Sequence, residues 1–126
     1  MFSMKSFVLP STTLAVITTD STVNITATSA DGYATLVNNG NDTSTTFGLC
    51  YSTSSNPTIA DSIIQGYING TGSFSLNLSG LTPNTTYYVR AYATDSAGTA
   101  YGNQLQFTTA TSALAIITPD SIVNIP

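Results

Sequence analysis

A chain of 126 residues has room for one sandwich-sized domain and little more. Two basic residues, Lys5 and Arg90, stand against six aspartates and no glutamate, so no basic patch can form and nucleic-acid binding is excluded. Only 6% of residues are charged while 41% are hydrophobic, which argues against disorder and for a core beneath a surface of hydroxyls and amides.

Residues 1–12 read as a polar N-terminal arm. The opening MFSMKSFVLPSTTLAVITTD makes a poor signal peptide, because Pro10 and neighbouring hydroxyl residues interrupt its apolar run. A processed leader, an internal start and a true arm all fit that pattern. No run reaches the length of a membrane-spanning helix. The β-branched residues of Leu14 to Ile25 predict a first strand kinked at Asp20-Ser21. Ala30 to Val37 predicts a second, ended by the Asn38-Asn39-Gly40-Asn41 turn cluster. In Thr45 to Ser52, a third strand, Phe47, Leu49 and Tyr51 alternate against Gly48, Cys50 and Ser52. Ile59 to Ile68 offers only a short edge strand around Ile63 and Ile64. Beyond Asn69-Gly70-Thr71-Gly72, Phe74, Leu76 and Leu78 alternate with Ser75, Asn77 and Ser79, and this is again a strand.

The strongest pattern follows in Leu81 to Ala93, LTPNTTYYVRAYA. Tyr87, Val89, Ala91 and Ala93 fall to one side and Tyr88, Arg90 and Tyr92 to the other, the period of a strand with one face in a core. Asp95-Ser96-Ala97-Gly98 then turns the chain into a last strand, Thr99 to Thr109, with Leu105 and Phe107 facing in. Strands at this spacing, without helical periodicity, make an all-β sandwich. Leu81, Pro83, Thr85 and Tyr87 stand in the order L-x-P-x-T-x-Y, the pattern of a tyrosine corner, in which a phenol bonds back to upstream backbone.

On those residues, and on the run SGLTPNTTYYVRAYATDSAGTAYGNQLQFTT, the chain resembles the last third of a fibronectin type III domain. It is most similar to the tandem copies in secreted and surface proteins of Bacteroidetes-type bacteria. ITATSADGYATLVNNG resembles the family's passage between its first two strands, and FGLCYSTSSNPT its G-hydrophobic-C-aromatic-S passage and Asn-Pro turn. The resemblance implies a seven-stranded Greek-key sandwich over residues 13–110, extracellular or at the cell surface, and non-enzymatic. The core Trp of many eukaryotic members is missing, as it often is in bacterial ones.

The last segment, residues 111–126, adds a feature of its own. LAIITPDSIVNIP (Leu114 to Pro126) repeats LAVITTDSTVNIT (Leu14 to Thr26), with nine of thirteen positions identical. A period of about one sandwich length is the mark of an array. The segment either opens a second module or is donated to a neighbouring copy. In the second case Leu14, Ile17, Val23 and Ile25, with their counterparts Leu114, Ile117, Val123 and Ile125, form the assembly interface.

Material for catalysis is scarce: there is no His, no Glu and no Cys/His metal cluster, and Ser with Asp alone makes no triad. No catalytic residue, cofactor or metal is expected. Asn39, Asn41 and Asp42 share a loop, but a lone carboxylate is thin support for calcium, and an Asx-rich turn accounts for the cluster. Cys50, the only cysteine, reads as a small buried hydrophobe. N-x-S/T sequons at Asn24, Asn41, Asn69, Asn77 and Asn84 are unremarkable in so Asn-, Ser- and Thr-rich a chain. Tyr88 and Tyr92 project from the outer face of the strand that follows the tyrosine corner, near Tyr101 of the next strand. They serve either cross-strand packing or contact with a neighbouring subunit or a glycan. Two functions remain open: a structural subunit assembling head to tail with copies of itself, and a spacer or adhesive module binding a glycan or surface protein.

Overall fold

A computed structural model describes residues 13–42, 45–66 and 70–112. The arm over residues 1–12, and Leu114, Ile117, Val123 and Ile125 of the repeat, lie outside the described residues. Eight strands build two antiparallel sheets: β1 (Val16–Val23), β2 (Ala30–Asn38), β3 (Thr46–Ser52), β4 (Ser62–Gln65), β5 (Gly72–Leu78), β6 (Thr86–Asp95), β7 (Gly98–Tyr101) and β8 (Leu105–Thr108). One sheet has the order β1-β2-β5; the other runs β4-β3-β6-β7, with β8 also on β6. β7 pairs with the second half of β6 and β8 with the first half, while the Gly102 N–H bonds to the Ala91 carbonyl between them at 2.8 Å. The two are halves of one broken strand, and the sandwich has the seven strands expected of it.

Alternation assigns the core. Ala15 and Ile17 of the β1 stretch, Ala30, Ala34 and Leu36 of β2, and Phe74 and Leu78 of β5 meet Phe47 and Leu49 of β3, Tyr87, Val89, Ala91 and Ala93 of β6 and Phe107 of β8. Small residues face large ones across the sheets. A Cβ on Gly32 would collide with the Leu49 side chain, so glycine lets that leucine fill the space. The Phe47 and Phe74 rings, 4.9 Å between centroids and tilted by 59°, join the sheets, and Tyr87 stacks on Phe107 at 5.8 Å. At the β5–β6 corner the Thr82 N–H donates to the Tyr87 phenol oxygen at 2.8 Å, the tyrosine corner expected from the sequence.

The kink in β1 is a bulge. The register with β2 slips between Thr19 and Ser21, leaving Asp20 outside the ladder, where its carboxylate accepts the Thr18 and Thr35 hydroxyls at 2.8 and 2.6 Å. Thr19, just ahead of the bulge, faces inward in step with Ala15 and Ile17. Its hydroxyl oxygen accepts the buried Ala91 N–H of β6 at 2.8 Å, and its own N–H donates to the Asn103 side chain at 3.1 Å. Thr19 thereby ties the edge of one sheet to the centre of the other, at the break between β7 and β8. Gly102 is required there, since a Cβ would meet Thr19 Oγ1 at 2.7 Å and Thr19 N at 2.8 Å.

Candidate functional site

The surfaces singled out by sequence separate clearly in three dimensions. Along β1 and its flanks, Leu14, Val23 and Ile25 are exposed, Leu14 by 50%. Ile17 is not: at 5% exposure it belongs to the chain's own core and offers nothing to a partner while β1 is in place. The bulge is the reason, since inward and outward positions before Asp20 do not continue in step after it. Leu14 sits before the strand and Val23 ends it, so these exposed groups mark the two ends of β1 rather than one stripe.

The tyrosine platform is largely consumed within the molecule. Tyr92 is only 4% exposed, which removes it as a contact surface. Tyr101 pairs with Tyr92 in register on β7, and its phenol oxygen accepts the Ile59 N–H at 3.1 Å. The Arg90 guanidinium lies 4.2 Å over the Tyr101 ring, and Arg90 Nε donates to the Pro57 carbonyl at 2.8 Å. The Gln104 side chain accepts the Asn56 N–H. These groups pin the loop between β3 and β4 across the outer face of the sheet, with Pro57 fully buried beneath it. Tyr88, on β6 and half-buried, is the member left partly open.

The same loop explains Cys50. It points away from the sandwich core, yet it is completely buried, with its thiol 3.5 Å from the Pro57 carbonyl and 3.4 Å from that of Arg90. Burial pushes the thiol up to about 11, outweighing the opposing pull of the Arg90 charge. Arg90, distant in sequence, is its register partner. The thiol is therefore protonated and inert, as its reading as a buried hydrophobe requires.

The outer face of the β1-β2-β5 sheet sets hydroxyls and amides beside the exposed Tyr33 and Val37 side chains. Asp31 accepts Asn77 Nδ2 and Asn24 Nδ2, both at 2.9 Å, and these bonds, the Asn77 one first, hold its carboxyl below its ordinary value. A cleft of about 590 Å³ opens near the tyrosine corner, walled by Tyr51, Tyr87 and Leu81 with Ser52, Asp61 and Ser62 at its polar positions. Sequence reading missed this cleft, because it joins residues of three separated segments and no local pattern marks it. Among the described residues, no group of three His, Cys, Asp or Glu gathers to hold a metal, and no helix is long and apolar enough to cross a membrane.

No protein-family model and no curated protein matches the chain. Solved structures do. The sensor domain of the anti-sigma factor RsgI4 in Pseudobacteroides cellulosolvens is similar at a TM-score of 0.58 and 22% identity, over 78% of this chain and 96% of that one. The sixth fibronectin type III domain of human fibronectin type III domain containing protein 3 is similar at 0.52 and 21%, over 92% and 98%. The fibronectin type III domain of human KIAA0970 is similar at 0.50 and 16%, over 82% and 76%. Identities this low speak for architecture alone, and the architecture agrees with the strand order and the tyrosine corner: the chain has a fibronectin type III-like fold.

Proposed function

We propose that this chain is a non-enzymatic extracellular structural subunit that joins other copies of itself head to tail through residues 111–126. The observation that carries the reading is where the two ends of the sandwich lie. The Thr13 N–H is fastened to the Gly40 carbonyl ahead of β1, while beyond β8 the Ala110 N–H is fastened to the Thr26 carbonyl, past the far end of β1, each at 3.0 Å. The chain enters at one end and leaves at the other. The segment that follows Ala110 has the sequence of a first strand, and the reading docks it on the next unit. Such a contact is heterologous, so repetition gives a filament.

Thr19 constrains how the segment docks. Pro119 occupies the matching position of the repeat and has neither the N–H that meets Asn103 nor the hydroxyl that meets Ala91. Displacing β1 would lose two hydrogen bonds and leave a buried N–H unpaired, a cost of about 2–4 kcal/mol. Addition at a free sheet edge of the neighbour, with its own β1 in place, avoids that cost. Deleting residues 111–126 is expected to leave a folded monomer that no longer assembles, read by sedimentation velocity and electron microscopy. Unchanged fibres from the deleted protein, or a full chain that stays monomeric at high concentration, would refute the reading.

The cleft beside the tyrosine corner favours a second reading, an adhesive module within a longer array. Its two tyrosines, hydroxyl groups and single carboxylate suit a neutral polyhydroxylated ligand such as a glycan.

A further inference from the structure

The entry end of the sandwich carries an acceptor without a donor. Asp95 ends β6 and is 9% exposed. Its Oδ1 accepts the Ala97 N–H at 2.9 Å, but its buried Oδ2 accepts nothing from the described residues. A buried carboxylate oxygen in that condition is costly. Its surroundings raise the cost. A Cβ on Gly40, which holds φ at 71°, would collide with both Asp95 Oδ2 and the Thr13 carbonyl oxygen, so two acceptors converge over the Gly40 Cα. Two of the nearest backbone donors are committed elsewhere: the Thr13 N–H to the Gly40 carbonyl at 3.0 Å, and the Gly40 N–H to Asn38 Oδ1 at 2.7 Å. A second carboxylate reaches the same β6–β7 turn, where Asp42 Oδ2 accepts the Ser96 N–H at 2.9 Å, next to the N–H taken by Asp95. Arg90 is held on the outer face of β6 by Pro57 and Tyr101.

We propose that Asp95, the Thr13 carbonyl and Asp42 hold a hard divalent cation of the calcium type at this end of the sandwich. Every donor is an oxygen, two come from carboxylates and one from a carbonyl, a set suited to hard cations rather than to softer metals. Calcium tolerates irregular geometry and completes its shell with water, whereas magnesium demands a near-octahedral site, so calcium fits better. With two carboxylates, affinity belongs in the range of about 0.1–1 mM seen for extracellular modules. Asp42 by itself made a thin sequence signal; the fold supplies the second carboxylate from 53 positions further along. The bound cation would clamp the residue entering β1 to the β2–β3 and β6–β7 turns. This site is independent of the assembly reading.

Melting of the full chain in chelator, in 5 mM calcium chloride and in 5 mM magnesium chloride, at matched ionic strength, tests it. Calcium is expected to raise the wild-type Tm by about 5 °C or more, with a smaller rise in magnesium. Asp95→Asn places an amide donor toward the Thr13 carbonyl. It should melt above wild type in chelator and no longer respond to calcium. Asp42→Asn should weaken the response, and Asp31→Asn, which removes a carboxylate elsewhere, should keep it. Identical wild-type melts with and without calcium would overturn the proposal, even with Asp95→Asn stabilised, since a proton or water would then bridge the two acceptors. A response that survives in Asp95→Asn, or vanishes in Asp31→Asn, would overturn it as well.

Discussion

Single atoms decide much of this molecule because it has almost no charge to organise it. The Tyr87 phenol holds the corner before β6 by one bond to the Thr82 N–H. Tyr87→Phe keeps the stacking on Phe107 but leaves that N–H without its partner, and chemical denaturation should show a loss of about 1 kcal/mol with unchanged m-value. Cys50 makes the opposite point, a potentially reactive atom silenced by its cover. Because burial raises the thiol to about 11, native protein at pH 8 should react with thiol reagents no faster than it unfolds, and denatured protein at once. Fast labelling of the native state would show that the β3–β4 loop does not seal the outer face.

At the scale of elements, β1 is the piece on which the two sheets depend. It lies at the edge of its sheet, yet through Thr19 it supplies the partner of a buried N–H on β6. Thr19→Val preserves shape and removes the acceptor, and is expected to destabilise by about 1–3 kcal/mol in denaturant titration. A loss near zero would mean that Ala91 finds another partner. This element also shows what can be read from sequence and what cannot. Strands β2, β3, β5 and β6 announce themselves through period two, and the kink at Asp20-Ser21 is visible as a polar pair inside a β-branched run. The break between β7 and β8 is not visible, because its cause lies more than 80 residues away, in the Asn103 side chain reaching Thr19. The burial of Tyr92 and Cys50 is hidden for a related reason. Alternation separates two faces but does not reveal that a loop covers the outer one. The cation site divides in the same way: Asp42 stood in a recognisable loop, whereas nothing local connects it with Asp95 or Thr13.

For the molecule as a whole, acid sensitivity should be slight and assignable. Asp31 has its pKa lowered in the folded state by the Asn77 and Asn24 amides. It therefore contributes stability above its ordinary value of 3.8, and that contribution is lost as pH falls through the lowered folded value. Asp31→Asn should flatten the fall in Tm below about pH 4 by starting from a slightly lower Tm at neutral pH, where the ionised carboxyl no longer contributes, and meeting the wild-type curve in acid. An acid limb that keeps its full slope in Asp31→Asn would place the effect on another aspartate.

The opposed positions of Thr13 and Ala110 have a mechanical consequence. Tension on a chain of such units pulls the leading end of β1 one way and the trailing end of β8 the other, along the strands. The β1–β2 ladder, whose hydrogen bonds lie across that direction, is then loaded in shear. Its rungs share the force instead of parting one after another, and the Thr19 bonds to Ala91 and Asn103 act as a bolt between the sheets. A subunit of this build would bear load along its axis while having little resistance to being peeled from the side.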